Sequence, residues 1–170
     1  MNILSVDIGT SSVRACLVSP DLKIQHQASR SIWLETDASG KAELNVEQVL
    51  KKTLTSIQET LDWALASSHP VDVITFSSAS ASLVCLDLDF NPIRPALTYA
   101  DLRASKESEW IIDTYSSEAF AQTAAPVHAS YWLPKFVWLT NQGLRLGQNL
   151  RFCTIKDLLT YRLPGKSTID

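Results

Sequence analysis

Two short apolar segments open the chain, Ile3-Leu4-Ser5-Val6 and Val13 to Val18, and the glycine-containing connection between them predicts a β-hairpin. A loosely alternating run from Ile24 to Leu34, containing Ile32 and Trp33, predicts a third strand that completes a meander, and Asp37-Ala38-Ser39-Gly40 punctuates it. Asn45-Val46-Glu47-Gln48 has the spacing of a capping box, with Asn45 as N-cap, and predicts a helix from there to about Ser67. Within it Val49, Leu50, Leu54, Ile57, Leu61 and Leu65 recur at helical intervals, a stripe expected to pack on the sheet. His69-Pro70 stops the helix, and Val71 to Phe76 reads as a buried strand. Beyond it the pattern predicts a β-rich insertion through Tyr99, then helices around Ala104 to Tyr115, Trp132 to Asn141 and Ile155 to Tyr161.

Composition narrows the class. With 170 residues the chain is one domain-sized unit, large enough to bury a core. The net charge of -3, with no clustering of Lys or Arg, gives no electrostatic reason to expect nucleic acid or an anionic membrane as partner. Cys16, Cys85 and Cys153 are odd in number and sit in apolar, strand-like contexts, which suits buried, reduced thiols better than a disulfide framework or a metal site. The N-terminus enters a strand at once, without the basic and apolar regions of a secretory signal, and no run is long enough to span a bilayer. A cytoplasmic location is the expectation. His26, His69 and His128 lack metal-type spacing, and Trp33, Trp63, Trp110, Trp132 and Trp138 are expected to pack rather than stack on a ligand.

Candidate chemistry concentrates in Asp7-Ile8-Gly9-Thr10-Ser11-Ser12-Val13-Arg14, a carboxylate, a turn glycine and a run of hydroxyls between two strands. Gly9 is expected to take the φ > 0 conformation that a β-carbon resists. The amides and hydroxyls of Thr10, Ser11 and Ser12 would then converge on one point, a concave anion site. A carboxylate beside a phosphate repels it unless a cation lies between them, so Asp7 implies Mg²⁺ held through water. No Gly-Lys-Ser/Thr follows, and the later glycines of a dinucleotide fingerprint are missing, which disfavours both of those nucleotide folds. Taken alone, the same residues also fit a plain strand end and turn.

The turn resembles the first phosphate motif of the actin and hexokinase superfamily. Further on, Thr75-Phe76-Ser77-Ser78-Ala79-Ser80-Ala81-Ser82-Leu83, Arg94-Pro95-Ala96 and Tyr99-Ala100-Asp101-Leu102-Arg103 resemble, in order and spacing, segments of the FGGY carbohydrate kinases of the xylulokinase-like and gluconokinase-like kind. Pro134-Lys135-Phe136-Val137-Trp138-Leu139 and Lys156-Asp157-Leu158-Leu159-Thr160-Tyr161-Arg162-Leu163-Pro164-Gly165 resemble two of that family's helical segments. The resemblance implies an α/β fold with a ribonuclease H-like, actin-like mixed sheet flanked by helices and carrying a β-rich insertion. It implies phosphorylation of a small sugar, polyol or sugar acid hydroxyl with ATP and Mg²⁺. Asp7 is then the catalytic and metal residue, and Gly9, Thr10, Ser11, Ser12 and Arg14 bind phosphate. Asp101, Arg103, Tyr99, Ser80 and Ala81 lie on the acceptor side, Asp101 as a contact for sugar hydroxyls, Tyr99 as a flat wall, and Arg103 either orienting Asp101 or capping the next helix.

Ala81 departs from the family by lacking a polar side chain, which puts an ordinary acceptor pocket in doubt. The family's chains are roughly three times this length, so the expectation is that residues 1–170 are the acceptor-side, N-terminal domain, ending at Thr168-Ile169-Asp170, with a C-terminal ATP-binding domain as its missing partner. Alone it is expected to be inactive and, through exposed apolar surface, prone to form homo-oligomers. The competing expectation is a non-catalytic binding or assembly domain that keeps the fold and has lost sugar recognition.

Overall fold

The computed structural model describes residues 1–123, 126–147 and 149–163, and the side chains of these except 116–123. Its elements are β1 (Ile3–Ile8), β2 (Ser12–Val18), β3 (Ile24–Ser31), β4 (Leu34–Thr36), β5 (Ala42–Leu44), α1 (Val46–Ala66), β6 (Val73–Ser78), β7 (Val84–Leu86), β8 (Ala96–Leu97), α2 (Ser105–Thr123), α3 (Trp132–Asn141), β9 (Arg151–Cys153) and α4 (Ile155–Arg162). They form two compact units, one of residues 1–34, 44–79 and 155–170, the other of residues 35–43 and 80–154.

The first unit is a four-stranded mixed sheet in the order β3-β2-β1-β6. The hairpin of β1 and β2 is antiparallel and sets Asp7 opposite Arg14, while β6 runs parallel to β1 and sets Ser77 opposite Asp7. Alternation decides the faces: Leu4, Val6, Ile8, Val13, Ala15, Leu17 and Ala28 are buried toward α1, which leaves Ser5, Asp7, Arg14 and Cys16 on the other face. The Asn45 carboxamide oxygen accepts from the Gln48 amide at 2.9 Å, the expected N-cap, and α1 ends at Ala66.

The buried stripe of α1 is rotated from the expected one. Val46, Val49, Leu50, Thr53, Ser56, Ile57, Thr60 and Ala64 face the sheet, whereas Leu54 is 39% and Leu65 84% exposed. Small side chains bring the helix close to the strands: Thr53 donates to the Val49 carbonyl within the helix, and Thr60 donates to the Ser56 carbonyl and across to the Ala15 carbonyl of β2. β6 also departs from expectation. It starts two residues later and is half-exposed, with Val73 at 39% and Ile74 at 42%, because it is the edge strand among the described residues. Trp63 of α1 stacks on His26 of β3 at 5.0 Å. Arg162 of α4 forks onto Glu47 of α1 at 2.8 and 2.9 Å.

The second unit holds the insertion. Its strands are short and form a three-stranded sheet, β4-β5-β8, and a two-stranded one, β7-β9. Leu83, Cys85, Leu97 and Leu139 make a core packed by Trp132, Phe136, Trp138, Leu144 and Phe152. The expected helices appear, α2 running on to Thr123. Of the tryptophans, Trp33 is 77% and Trp110 52% exposed, the latter in edge contact with Tyr115 at 6.0 Å. None of the three cysteines is in a disulfide, and only Cys85 is buried, where desolvation pushes its thiol up to about 11. Pro164, Gly165 and the Thr168-Ile169-Asp170 end lie outside the described residues. No helix of the described residues is long and apolar enough to cross a membrane.

Candidate functional site

In the first unit, residues 9–11 connect β1 to β2. The Gly9 amide donates to the Ser12 carbonyl at 3.0 Å, and the Ile32 amide to the Ser11 carbonyl at 2.9 Å, which fixes the turn against the start of β3's exit. Gly9 is not in the left-handed region, contrary to expectation. Glycine is required there for a different reason: a β-carbon would stand 3.1 Å from the Ser12 carbonyl oxygen, inside ordinary contact. The hydroxyls of Thr10 and Ser11 have no hydrogen-bond partner among the described residues, and Ser11 is exposed.

Asp7 closes β1 on the sheet's open face. Its carboxylate is 47% exposed, and its one side-chain contact is Arg14 Nη1 at 3.4 Å, beyond the range of a strong charge-assisted bond. Both oxygens therefore retain lone pairs for a ligand. No cluster of three or more acidic, His or Cys side chains able to cage a metal occurs among the described residues. A single accessible carboxylate next to unengaged hydroxyls fits Mg²⁺ carried mainly by water and phosphate oxygens, the mode that this reluctantly dehydrated ion favours.

The second unit contains a different arrangement. Asp101 is 1% exposed, and its carboxylate accepts from the Ala42 amide at 3.0 Å, the Arg103 amide at 3.2 Å and the Arg103 guanidinium at 2.6 and 3.1 Å. Arg103 continues to Glu43 at 2.6 Å, and Arg94 and Lys41 reach the same Glu43 at 3.1 and 3.5 Å. The guanidinium of Arg103 lies 4.5 Å over the Trp138 ring. Burial opposes the Arg103 charge, but the bonds and charges of Asp101 and Glu43 outweigh it and hold its pKa above the ordinary value.

These contacts revise the role expected for Asp101. Two carboxylate oxygens offer about four lone-pair sites. Here they are filled by protein donors and shielded from solvent, so Asp101 has no free site for a sugar hydroxyl. Of the two roles open to Arg103, the structure shows it holding Asp101. Tyr99 is 46% exposed at the tip of the turn that Thr98 and Asp101 close through a 3.1 Å backbone bond. Ser80 is exposed, and Ala81 beside it adopts φ 56°, a left-handed backbone that costs an alanine roughly 1–2 kcal/mol.

Two residues of the second site escaped the sequence reading. Glu43 sits in β5 between buried Ala42 and Leu44, and an acid inside an apolar triplet was its signal. Lys135 is 1% exposed, the one cation in the otherwise apolar α3 segment Trp132 to Leu139. Its ammonium donates to the Thr98 carbonyl at 2.7 Å and the Ser130 carbonyl at 2.6 Å.

Residues 2–170 match the family described as the N-terminal domain of the FGGY family of carbohydrate kinases. The chain is 27% identical over 173 residues to a gluconokinase of Bacillus subtilis, covering 99% of this chain and 33% of the relative. It is 30% identical over 165 residues to a xylulose kinase of Staphylococcus xylosus, covering 96% and 34%. Among solved structures, the xylulose kinase of Rhodospirillum rubrum superposes with a TM-score of 0.89 at 24% identity over 100% of this chain and 35% of that one. The gluconate kinase of Lactobacillus acidophilus gives 0.85 at 22% identity over 98% and 34%. The expected mixed α/β fold is thus the fold of these structures, and the chain spans about a third of the length of the relatives it matches.

Proposed function

The chain belongs to the FGGY family of carbohydrate kinases, and on that premise we propose that it supplies the phosphate-facing and acceptor-facing residues of an enzyme that moves the γ-phosphoryl group of ATP to a hydroxyl of a small sugar, polyol or sugar acid. The observation that carries this reading is the half-exposed Asp7 carboxylate beside a turn whose Thr10 and Ser11 hydroxyls are unengaged. Phosphoryl transfer needs positioning and charge neutralisation more than covalent chemistry. Asp7 would hold the metal's water shell, Thr10, Ser11 and Ser12 would donate to phosphate oxygens, and Arg14 would swing from its long Asp7 contact toward added negative charge. Mg²⁺, when bound, offsets the charge of the phosphates. In the second unit Tyr99 presents a ring to the acceptor, while Asp101 and Arg103 hold the segment that carries it. The base that takes the acceptor proton and the adenosine pocket are assigned to another part of the protein, and the reaction to the cytoplasm.

A second reading, a binding or assembly domain without turnover, is favoured by Ala81, which offers no side-chain hydrogen bond, and by the closed Asp101 carboxylate. One assay separates the two. The complete gene product is incubated with ATP, Mg²⁺ and gluconate, xylulose, ribulose or glycerol, with Asp7→Ala alongside. Turnover lost by a factor of about 10³ or more in the variant is expected. No turnover with any acceptor would move the assignment to the binding domain.

A further inference from the structure

We propose that Lys135 is a positioning residue for the acceptor, its ammonium fastening the Thr98 carbonyl to the Ser130 carbonyl and so fixing the turn that presents Tyr99. The inference rests on the kinase reading above and adds to it a residue that touches no substrate.

Lysine is almost never fully buried without a charged partner. Lys135 is 1% exposed, and both of its hydrogen-bond acceptors are main-chain carbonyls. A methionine would fill the same space in this apolar helix without desolvating a charge, so the ammonium is retained for its two bonds. Both bonds end at the base of an exposed turn. Thr98 is 1% exposed; its carbonyl also accepts the Asp101 amide, and its hydroxyl accepts the Ala100 amide at 3.3 Å and donates to the Ala42 carbonyl at 2.9 Å. Thr98 is therefore an anchor, and Tyr99 is the first residue beyond it. Ser130 lies in the turn closed by the Tyr131 amide on the His128 carbonyl at 3.0 Å, and its hydroxyl meets His128 Nδ1 at 2.9 Å. One buried charge thus joins two turns from separate parts of the chain, and their exposed aromatic residues, Tyr99 and Tyr131, are each 46% accessible.

Of the charged groups on the elements packed against α3, Lys106, Glu107, Glu109 and Asp113 lie on α2, and Arg94 and Arg103 lie over Trp138. Asp101 attracts the ammonium and is itself engaged by Arg103, which is bound to Glu43. Tyr99, His128 and Tyr131 are the titratable groups on the two turns, and α3 has no other ionisable residue. Desolvation pushes Lys135 down to about 8, with Asp101 partly opposing. The lock is therefore charged at neutral pH; as the pH rises through that value the amine keeps two N–H donors but loses the charge that strengthens both bonds.

The test uses the complete gene product and its best acceptor, with KM for acceptor and for ATP measured from pH 6.5 to 9.5 in wild type, Lys135→Arg and Lys135→Met. The expected result is an acceptor KM that rises about tenfold through pH 8 in wild type, stays flat in Lys135→Arg, and is raised at every pH in Lys135→Met, with the ATP KM constant throughout. A flat wild-type acceptor KM, the same rise in Lys135→Arg, or a parallel rise in the ATP KM would overturn the proposal. If Lys135→Met does not fold, the wild-type and Lys135→Arg profiles decide by themselves. Absence of turnover in wild type at pH 7 overturns the kinase reading and this inference together, whereas turnover with a flat profile overturns this inference alone.

Discussion

Asp7 in the first unit and Asp101 in the second are each paired with an arginine, yet the two pairs have opposite surroundings. The Asp7 carboxylate is 47% exposed and meets Arg14 at 3.4 Å; that of Asp101 is 2% exposed and meets Arg103 at 2.6 Å, with two backbone amides besides. The open pair has unused hydrogen-bonding capacity, while the closed one has none. A carboxylate with spare lone pairs is available to a ligand, whereas one saturated by protein donors organises the chain around it. If this contrast is right, the same substitution should have opposite consequences at the two positions.

The largest effect on stability is expected at Asp101. In Asp101→Ala the Ala42 amide loses its acceptor, and Arg103 keeps a buried charge with half its compensation. Breaking such a pair on one side typically costs 3–5 kcal/mol. For a chain of this size that corresponds to a fall in melting temperature of roughly 10 °C. A fall of only a degree or two would mean that Asp101 is not the organiser described here.

Lys135 gives the next largest effect, and it appears against pH. Its folded pKa of about 8 lies below the ordinary 10.5, so the unfolded chain binds more protons between those values and the unfolding free energy rises with pH across them. The penalty of burying the charge is thus fully present below pH 8 and gone above about pH 10.5, a swing of up to about 3 kcal/mol. Urea unfolding of wild type and Lys135→Met at pH 7 and 10 should show wild type gaining on the variant at the higher pH. An unchanged difference would mean that burial does not lower the Lys135 pKa and that the side chain keeps its charge through pH 10. The direction is opposite to that expected for acceptor affinity, which weakens over the same rise.

The contrast between the two carboxylates was not legible in the sequence, though much around it was. The hairpin, the Asn45 cap and the helix α3 follow from local rules, turn residues, a side-chain acceptor at the right spacing and apolar periodicity, and all three formed where expected. What failed depended on partners distant in the chain. Asp101 looks like a ligand contact until Ala42 and Glu43 arrive beside it and Arg103. The α1 stripe was misplaced because leucine outranks threonine in hydrophobicity, whereas close approach to the strands selects the smaller Thr53, Ser56 and Thr60. The pattern of Val73 and Ile74 predicts a buried strand, and only sheet order shows that theirs is an edge among the described residues. Gly9 was expected for its freedom at positive φ, but it is required by a close carbonyl, which no propensity encodes.

The two turns differ as the two carboxylates do. The turn at Gly9 has no positive φ, while Ala81 holds φ 56° in the Ser80-Ala81 turn. Glycine at position 81 removes that strain and adds unfolded-state entropy, so Ala81→Gly should raise stability by about 0.5–1 kcal/mol. A calorimetric loss instead would show that the alanine methyl makes packing contacts worth more than the strain.

The smallest stability change is expected at the residue with the largest predicted effect on catalysis. Exposed ion pairs contribute about 0–1 kcal/mol and weaken with salt. At 3.4 Å and about half exposure on both sides, the Asp7–Arg14 pair belongs at the low end of that range. Asp7→Ala and Arg14→Ala should each shift the unfolding free energy by less than about 0.5 kcal/mol, with little dependence on ionic strength. A double-mutant cycle should give a coupling energy near zero, where the corresponding cycle for Asp101 and Arg103 gives several kcal/mol. A large coupling at Asp7 would mean that Arg14 fills the carboxylate as Arg103 fills Asp101. The first unit would then have no open acceptor for a metal's water shell. A residue conveying almost nothing to folding while abolishing turnover when removed is what a ligand-facing carboxylate requires, and Asp7 combines that exposure with a neighbouring turn of unengaged hydroxyls.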